Sequence, residues 1–172
     1  MPLVTLDDDM RAVVAAAHLC FAATVGPDGR PNCSPKGTIR VWDAHHLYFL
    51  DIASPRTRAN LQANPAIELN VVDERSRRGY RFAGRAMLHE GDALAGEAAQ
   101  RVFDEEGTTY PVHAVVVVAV ERADALVSPG YAHVADEVAM RAHWKRRRPP
   151  LDRAFERHLK LRGPWPGTPA SP

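Results

Sequence analysis

The chain has 172 residues, a formal net charge of +1, and 45% hydrophobic and 25% charged residues. That length predicts one domain with a real core, and the composition excludes a disordered chain. Near-balanced charge argues against bulk capture of nucleic acid or an anionic membrane surface, and no apolar run approaches the roughly 20 residues of a membrane helix.

The first elements are read in chain order. Residues 6–17 form a predicted helix, with Asp7, Asp8 and Asp9 at its positive end and Met10, Val13, Val14 and Ala17 on one face. This acidic start is unlike a secretory signal, and Cys20 and Cys33 form neither a CxxC nor a zinc-like spacing. A cytoplasmic protein with reduced thiols and no metal is expected. Strand character follows over residues 19–25, 32–42 and 46–52, broken by the turns Gly26-Pro27-Asp28-Gly29 and Asp43-Ala44-His45. Three sequential strands joined so closely predict an antiparallel meander.

Residues 54–63 switch to helical character, with Ser54 as the expected N-cap, Pro55 at the first helical position and Asn64-Pro65 as the stop. A strand over 66–72, a charged loop over 73–78 and a strand over 80–89 come next. Gly84 marks a bulge or a close backbone approach in that last strand. A helix capped by Asp92 is predicted over 92–105, then a strand over 113–121 whose valine run implies burial on both faces. From residue 128 the character changes to helices over 135–148 and 151–162 and a proline- and glycine-rich tail over 163–172. Lys145 to Arg148 read as a basic helix end rather than a nucleic-acid site. Six strands with few intervening helices predict a mainly β fold, a six-stranded antiparallel barrel over residues 1–127, with 128–162 as a helical extension of the same domain.

There is no GxGxxG after a strand, no phosphate loop, no HExxH and no GxSxG, and no catalytic residue is evident. Such a chain leaves its chemistry to a bound cofactor. The richest stretch is Ser54-Pro55-Arg56-Thr57-Arg58, which puts two arginines and two hydroxyls at a helix start, where backbone N–H groups and the helix dipole favour an anion.

The run FAATVGPDGRPNCSPKGTIRVWDAHHLYFLDIASPRTRANLQANPAIELNVV, followed by YRFAGRA, resembles the pyridoxamine 5'-phosphate oxidase-like family of FMN-binding split barrels, over about residues 10–122. The shared features are a DG-R-P turn, an Asn-Leu…Asn-Pro helix, a strand and a Gly-Arg-Ala strand, in that order. The resemblance implies an FMN-dependent oxidoreductase acting on a small molecule, a homodimer with flavin at the interface, and no membrane or nucleic-acid partner. It implies that Lys36, Gly37 and Thr38 line the flavin and that Ser54, Arg56, Thr57 and Arg58 hold its phosphate. Arg85 is expected to contribute from the second subunit. Beyond the stretch of resemblance, the helical spacing of Val134, Val138 and Trp144 predicts that the C-terminal helices pack across the partner near the cleft. The family's C-terminal Arg-Leu-His-like run is missing; Arg157-His158-Leu159 has the residue types in another order, so vitamin B6 oxidation itself is not implied. F420 or haem in the same fold, or a non-catalytic flavin binder, are the alternatives.

Overall fold

The computed structural model describes residues 2–17, 19–107 and 109–147. They divide into a unit ending at Ser128 and a second unit beginning at Pro129. In the first, α1 (Asp8–Ala16) precedes β1 (Cys20–Val25), β2 (Pro31–Lys36), β3 (Arg40–Val41) and β4 (His46–Asp51). Then come α2 (Pro55–Ala63), β5 (Ala66–Asp73), β6 (Arg78–His89), α3 (Ala93–Glu106) and β7 (Ala114–Val127). The second unit holds a 3-10 turn, Pro129–Ala132, and α4 (Glu137–Arg147), whose start is capped by Asp136 through Ala139 N–H at 2.8 Å. The helix expected over 151–162 and the tail over 163–172 lie outside the described residues. No helix among the described residues is long and apolar enough to cross a membrane.

All seven strands belong to one antiparallel sheet in the order β2-β1-β5-β6-β7-β4-β3. Two expectations are corrected here. The predicted strand over 32–42 is two strands, because the chain leaves the ladder at residues 37–39; this accounts for seven strands rather than six. The first three strands are also not a meander: β2 and the β3–β4 pair occupy opposite edges of the sheet.

That order forces curvature. Seven strands laid flat at about 4.8 Å spacing would hold the edges roughly 29 Å apart, yet Lys36 and Arg40 are four residues apart and reach at most about 14 Å. The sheet must therefore curl until β2 and β3 approach, as a split barrel does. At the joint, the Thr38 hydroxyl accepts from Leu50 N–H at 2.9 Å, so a side chain takes over one ladder bond of β4.

The valine run of β7 packs on both faces, as its sequence implied. Val116, Val118 and Val120 join the barrel interior with Leu47, Phe49 and Phe82, whereas Val115 and Val117 meet Tyr48, Leu50 and the α3 residues Ala98 and Val102 on the other side. The β6–β7 register shifts between Ala83 and Gly84, so the glycine does mark an irregularity. Asp7 and Asp92 cap α1 and α3 through Met10 and Ala95 N–H, both at 2.8 Å.

Candidate functional site

The β2–β3 joint forms one wall of a cleft of about 420 Å3. Ser34, Pro35, Lys36, Gly37 and Thr38 line that wall; Leu50, Ile52 and Ala53 at the end of β4 line another, and Tyr110 completes it from the α3–β7 loop. Lys36, Gly37 and Thr38 are thus brought together, as their adjacency required. Thr38 is buried and spends its hydroxyl oxygen on Leu50 N–H, so its role there is to shape the wall. Gly37 also borders a second hollow of about 510 Å3 with Arg40, Glu105 and Glu106. Arg40 bonds Glu105 at 2.6 Å and Glu106 at 2.7 Å, and the Tyr110 hydroxyl donates to Glu106 at 2.6 Å. This chain of charge-assisted bonds ties the Tyr110 wall to β3.

Lys36 is only 6% exposed. Its Nζ donates to Ser34 Oγ at 2.8 Å and lies 5.5 Å from the centre of the Phe49 ring. Burial lowers the pKa of its amine, against an opposing pull from the Asp51 charge and from Cys20. Burial also pushes the Cys20 thiol up to about 12.

Ala53 leads directly from the cleft into α2. Ser54 stands at the N-cap position but does not cap the helix. Its N–H (3.0 Å) and its hydroxyl (2.5 Å) both donate to Asp51 Oδ1. A serine has one hydroxyl proton, so both donors of Ser54 are committed to Asp51. Pro55 has no N–H to offer. The N–H groups of Arg56 and Thr57 therefore open the helix without a side-chain cap, and no acidic residue lies in the first turn. Arg56 is exposed. Arg58 is half-buried, with Nε 3.7 Å from Asp51 Oδ2. Asp51 itself is 2% exposed, and its Oδ2 has no hydrogen-bond partner.

Thr57 is buried, and its Oγ1 accepts from Asn32 Nδ2 at 3.1 Å. Asn32 also donates to Thr24 Oγ1 at 3.2 Å, which accepts from Asn60 Nδ2 at 3.0 Å as well. This network bolts α2 to β1 and β2 and fixes where its first turn sits. Asn60→Ala should cost about 1–2 kcal/mol by removing a buried hydrogen bond. Urea unfolding should show the lower midpoint with an unchanged slope.

Arg85 is not brought to this site within the chain. It is exposed and in register with Ala66, just beyond the far end of α2. Nine helical residues separate that end from Ser54, about 13 Å at 1.5 Å per residue. Three site residues escaped the sequence reading: Asp51, Ser34 and Tyr110. Asp51 did carry a signal, since it shares the inward phase of Leu47 and Phe49, and a carboxylate in that phase needs partners. Tyr110 sits in a loop with no periodicity to read.

Residues 6–127 match the sequence pattern of the pyridoxamine 5'-phosphate oxidase family. No curated protein matches the chain significantly by sequence. Among solved structures, HupZ of Group A Streptococcus is similar at 30% identity and a TM-score of 0.64, covering 71% of this chain and 94% of that one. An FMN-binding protein from Syntrophomonas wolfei shares the fold at 14% identity and a TM-score of 0.61, over 72% of this chain and 87% of its own. An F420 reductase does so at 20% identity and a TM-score of 0.55, over 69% and 98%. With the barrel order, the cleft beside the β2–β3 joint and a family match across nearly all of the first unit, this chain belongs to the pyridoxamine 5'-phosphate oxidase family.

Proposed function

We propose that this protein is an FMN-dependent oxidoreductase acting on a small molecule. The observation that carries the reading is the start of α2: an uncapped first turn with Arg56 and Arg58, opening beside a cleft with apolar walls. A helix start of this kind takes a phosphate through backbone N–H groups and forked guanidinium bonds. The cleft volume falls in the range of small-ligand sites, and Leu50, Ile52 and Tyr110 offer faces for a planar ring. Asp51 Oδ2, buried without a donor, is a place for a ligand hydroxyl. The residues present therefore fit FMN.

Arg56 and Arg58 with the N–H groups of Arg56 and Thr57 would hold the phosphate. Ser54 and Thr57 side chains, engaged by Asp51 and Asn32, would position the turn rather than touch the ligand. Lys36, Gly37 and Thr38 would face the ring. Bound there, FMN supplies the electron-transfer chemistry. The decisive experiment is mass and absorption analysis of the ligand released from purified protein, followed by turnover with NADH and NADPH. FMN that is reduced and reoxidised supports the proposal; F420, haem or a colourless protein that does not bind added FMN overturns it.

A homodimer goes with this reading. On the outer face of the β1–β2 ribbon, Phe21 pairs with Pro35 and Val25 with Pro31, and Phe21 and Val25 are 45% and 44% exposed. Pro35 belongs to the cleft wall, so a second copy on this ribbon would reach the ligand site. Sedimentation is expected to give a dimer at micromolar concentration, and Phe21→Glu to shift it to monomer. A wild-type monomer would count against the shared site.

A further inference from the structure

We propose that Lys36 is a nucleophilic amine at the cleft wall, a site for reversible capture of an aldehyde-bearing ligand. The proposal rests on the reading of this cleft as the ligand site, but it needs no bound flavin.

The first ground is residue choice. Of the 22 basic residues, 19 are arginines; the lysines are Lys36, Lys145 and Lys160. Lys36 is therefore the one lysine in the whole barrel sequence, and it is buried at the cleft. Arginine keeps its proton throughout the physiological range, whereas lysine can release its proton and present a lone pair. A simple demand for positive charge would have been met by arginine, as it is at every other barrel position.

The second ground is geometry. Ser34 and Lys36 both line the cleft, and the 2.8 Å bond between them holds the amine at its edge. Among the described residues no carboxylate pairs directly with Nζ. Asp51 is engaged by Ser54 and Arg58 and acts on Lys36 only at longer range. The titratable groups that act on the amine are Asp51 at the end of β4 and Cys20 on β1; Tyr110 lines the same cleft, and Arg58 on α2 pairs with Asp51. Cys20 stays a neutral thiol, since its pKa is about 12. Arg58 offsets the pull of Asp51, and the Tyr110 hydroxyl donates a hydrogen bond to Glu106. Burial favours the uncharged amine, the reactive form, and outweighs the cation–π attraction of the Phe49 ring 5.5 Å away.

The chemistry balances without an oxidant. The Nζ lone pair forms a C–N bond to the carbonyl carbon as the C=O π bond breaks, and one N–H proton passes to oxygen. Loss of the hydroxyl with the second N–H proton as water leaves the imine. The apolar faces of Leu50, Ile52 and Tyr110 suit an aryl or alkyl aldehyde and limit the water that would reverse the step.

The test is reductive labelling with benzaldehyde and cyanoborohydride across pH 6–10, with peptide mass mapping. Lys145 serves as an internal reference. At pH 7 the benzyl adduct on Lys36 should form at least tenfold faster than on Lys145, and its pH profile should rise earlier. Lys36→Met, which keeps the buried stem apolar, should fold normally by circular dichroism and lose the fast adduct. Labelling of Lys36 no faster than Lys145, or a fast adduct that survives in Lys36→Met, overturns the proposal. FMN affinity is measured in parallel. Capture without FMN binding sinks the flavin reading alone, and FMN binding without capture sinks this inference alone.

Discussion

Replacing Arg56 and Arg58 together with alanine is expected to weaken FMN binding by tens- to thousands-fold. Each lost charge-assisted bond should cost about 1.5–3 kcal/mol, and about 1.4 kcal/mol is a decade in affinity. The two residues should differ in their effect on the empty protein. Arg56 is exposed, so its removal should leave the melting temperature unchanged. Arg58 sits 3.7 Å from the buried Asp51 carboxylate, so its removal leaves that charge less compensated and should lower stability by about 1 kcal/mol or more. Asp51→Asn in the Arg58→Ala background should restore much of that loss. Fluorescence quenching of FMN measures the affinity and calorimetry the stability. A folded double variant that binds FMN like the wild type would move the phosphate site away from α2.

The largest effect on the fold is expected from Gly84→Val. A Cβ at residue 84 would lie 2.0 Å from the Ala119 carbonyl oxygen and 3.2 Å from Val120 Cα. Both are backbone atoms of β7, so no rotamer change relieves the clash. The strands must separate where the register already shifts, at a cost of about 3 kcal/mol or more. For a chain of this size that is a fall of about 6–12 °C in Tm. Gly96→Ala is the matched control. Residue 96 lies in α3 with nothing within 4 Å of an added Cβ, and the change should stabilise by about 0.5–1 kcal/mol. If both substitutions left Tm unchanged, the close β6–β7 approach would be wrong.

Much of this was legible in the residue order, for identifiable reasons. Helix caps are local, so Asp7 and Asp92 could be read directly. Alternating and continuous apolar runs are local too, and β4 to β7 follow from them within a residue or two, apart from the longer C-terminal reach of β7 to Val127. The Gly84 irregularity also announced itself, since a glycine inside a strand has few other uses. Strand pairing was not legible, because β-branched residues at 115–118 state that they are buried and not against what. The split at residues 37–39 was hidden for a related reason. Thr38 and Ile39 are good strand residues, and only the neighbouring β4 shows that Thr38 bonds through its side chain. At the site, Ser54 was expected to cap α2 and instead gives both its donors to Asp51, a residue whose burial no local pattern states.

The strand order has a consequence for how the protein is made. β4 carries Leu47, Tyr48, Phe49 and Leu50, all buried, yet its ladder partner on the core side is β7, with His46 opposite Ala119 and Asp51 opposite Ala114. A ribosome adding about 5–20 residues per second leaves β4 without that partner for roughly 3–12 s. In the interval an apolar strand without proline, with β3 on one side and its other edge open, is a template for association with other chains. Charged or ionisable residues bracket it: Asp43, His45 and His46 before the run and Asp51 directly after. The carboxylate that organises the helix start in the finished barrel thus has an earlier task, keeping a nascent strand soluble until its neighbour has been synthesised.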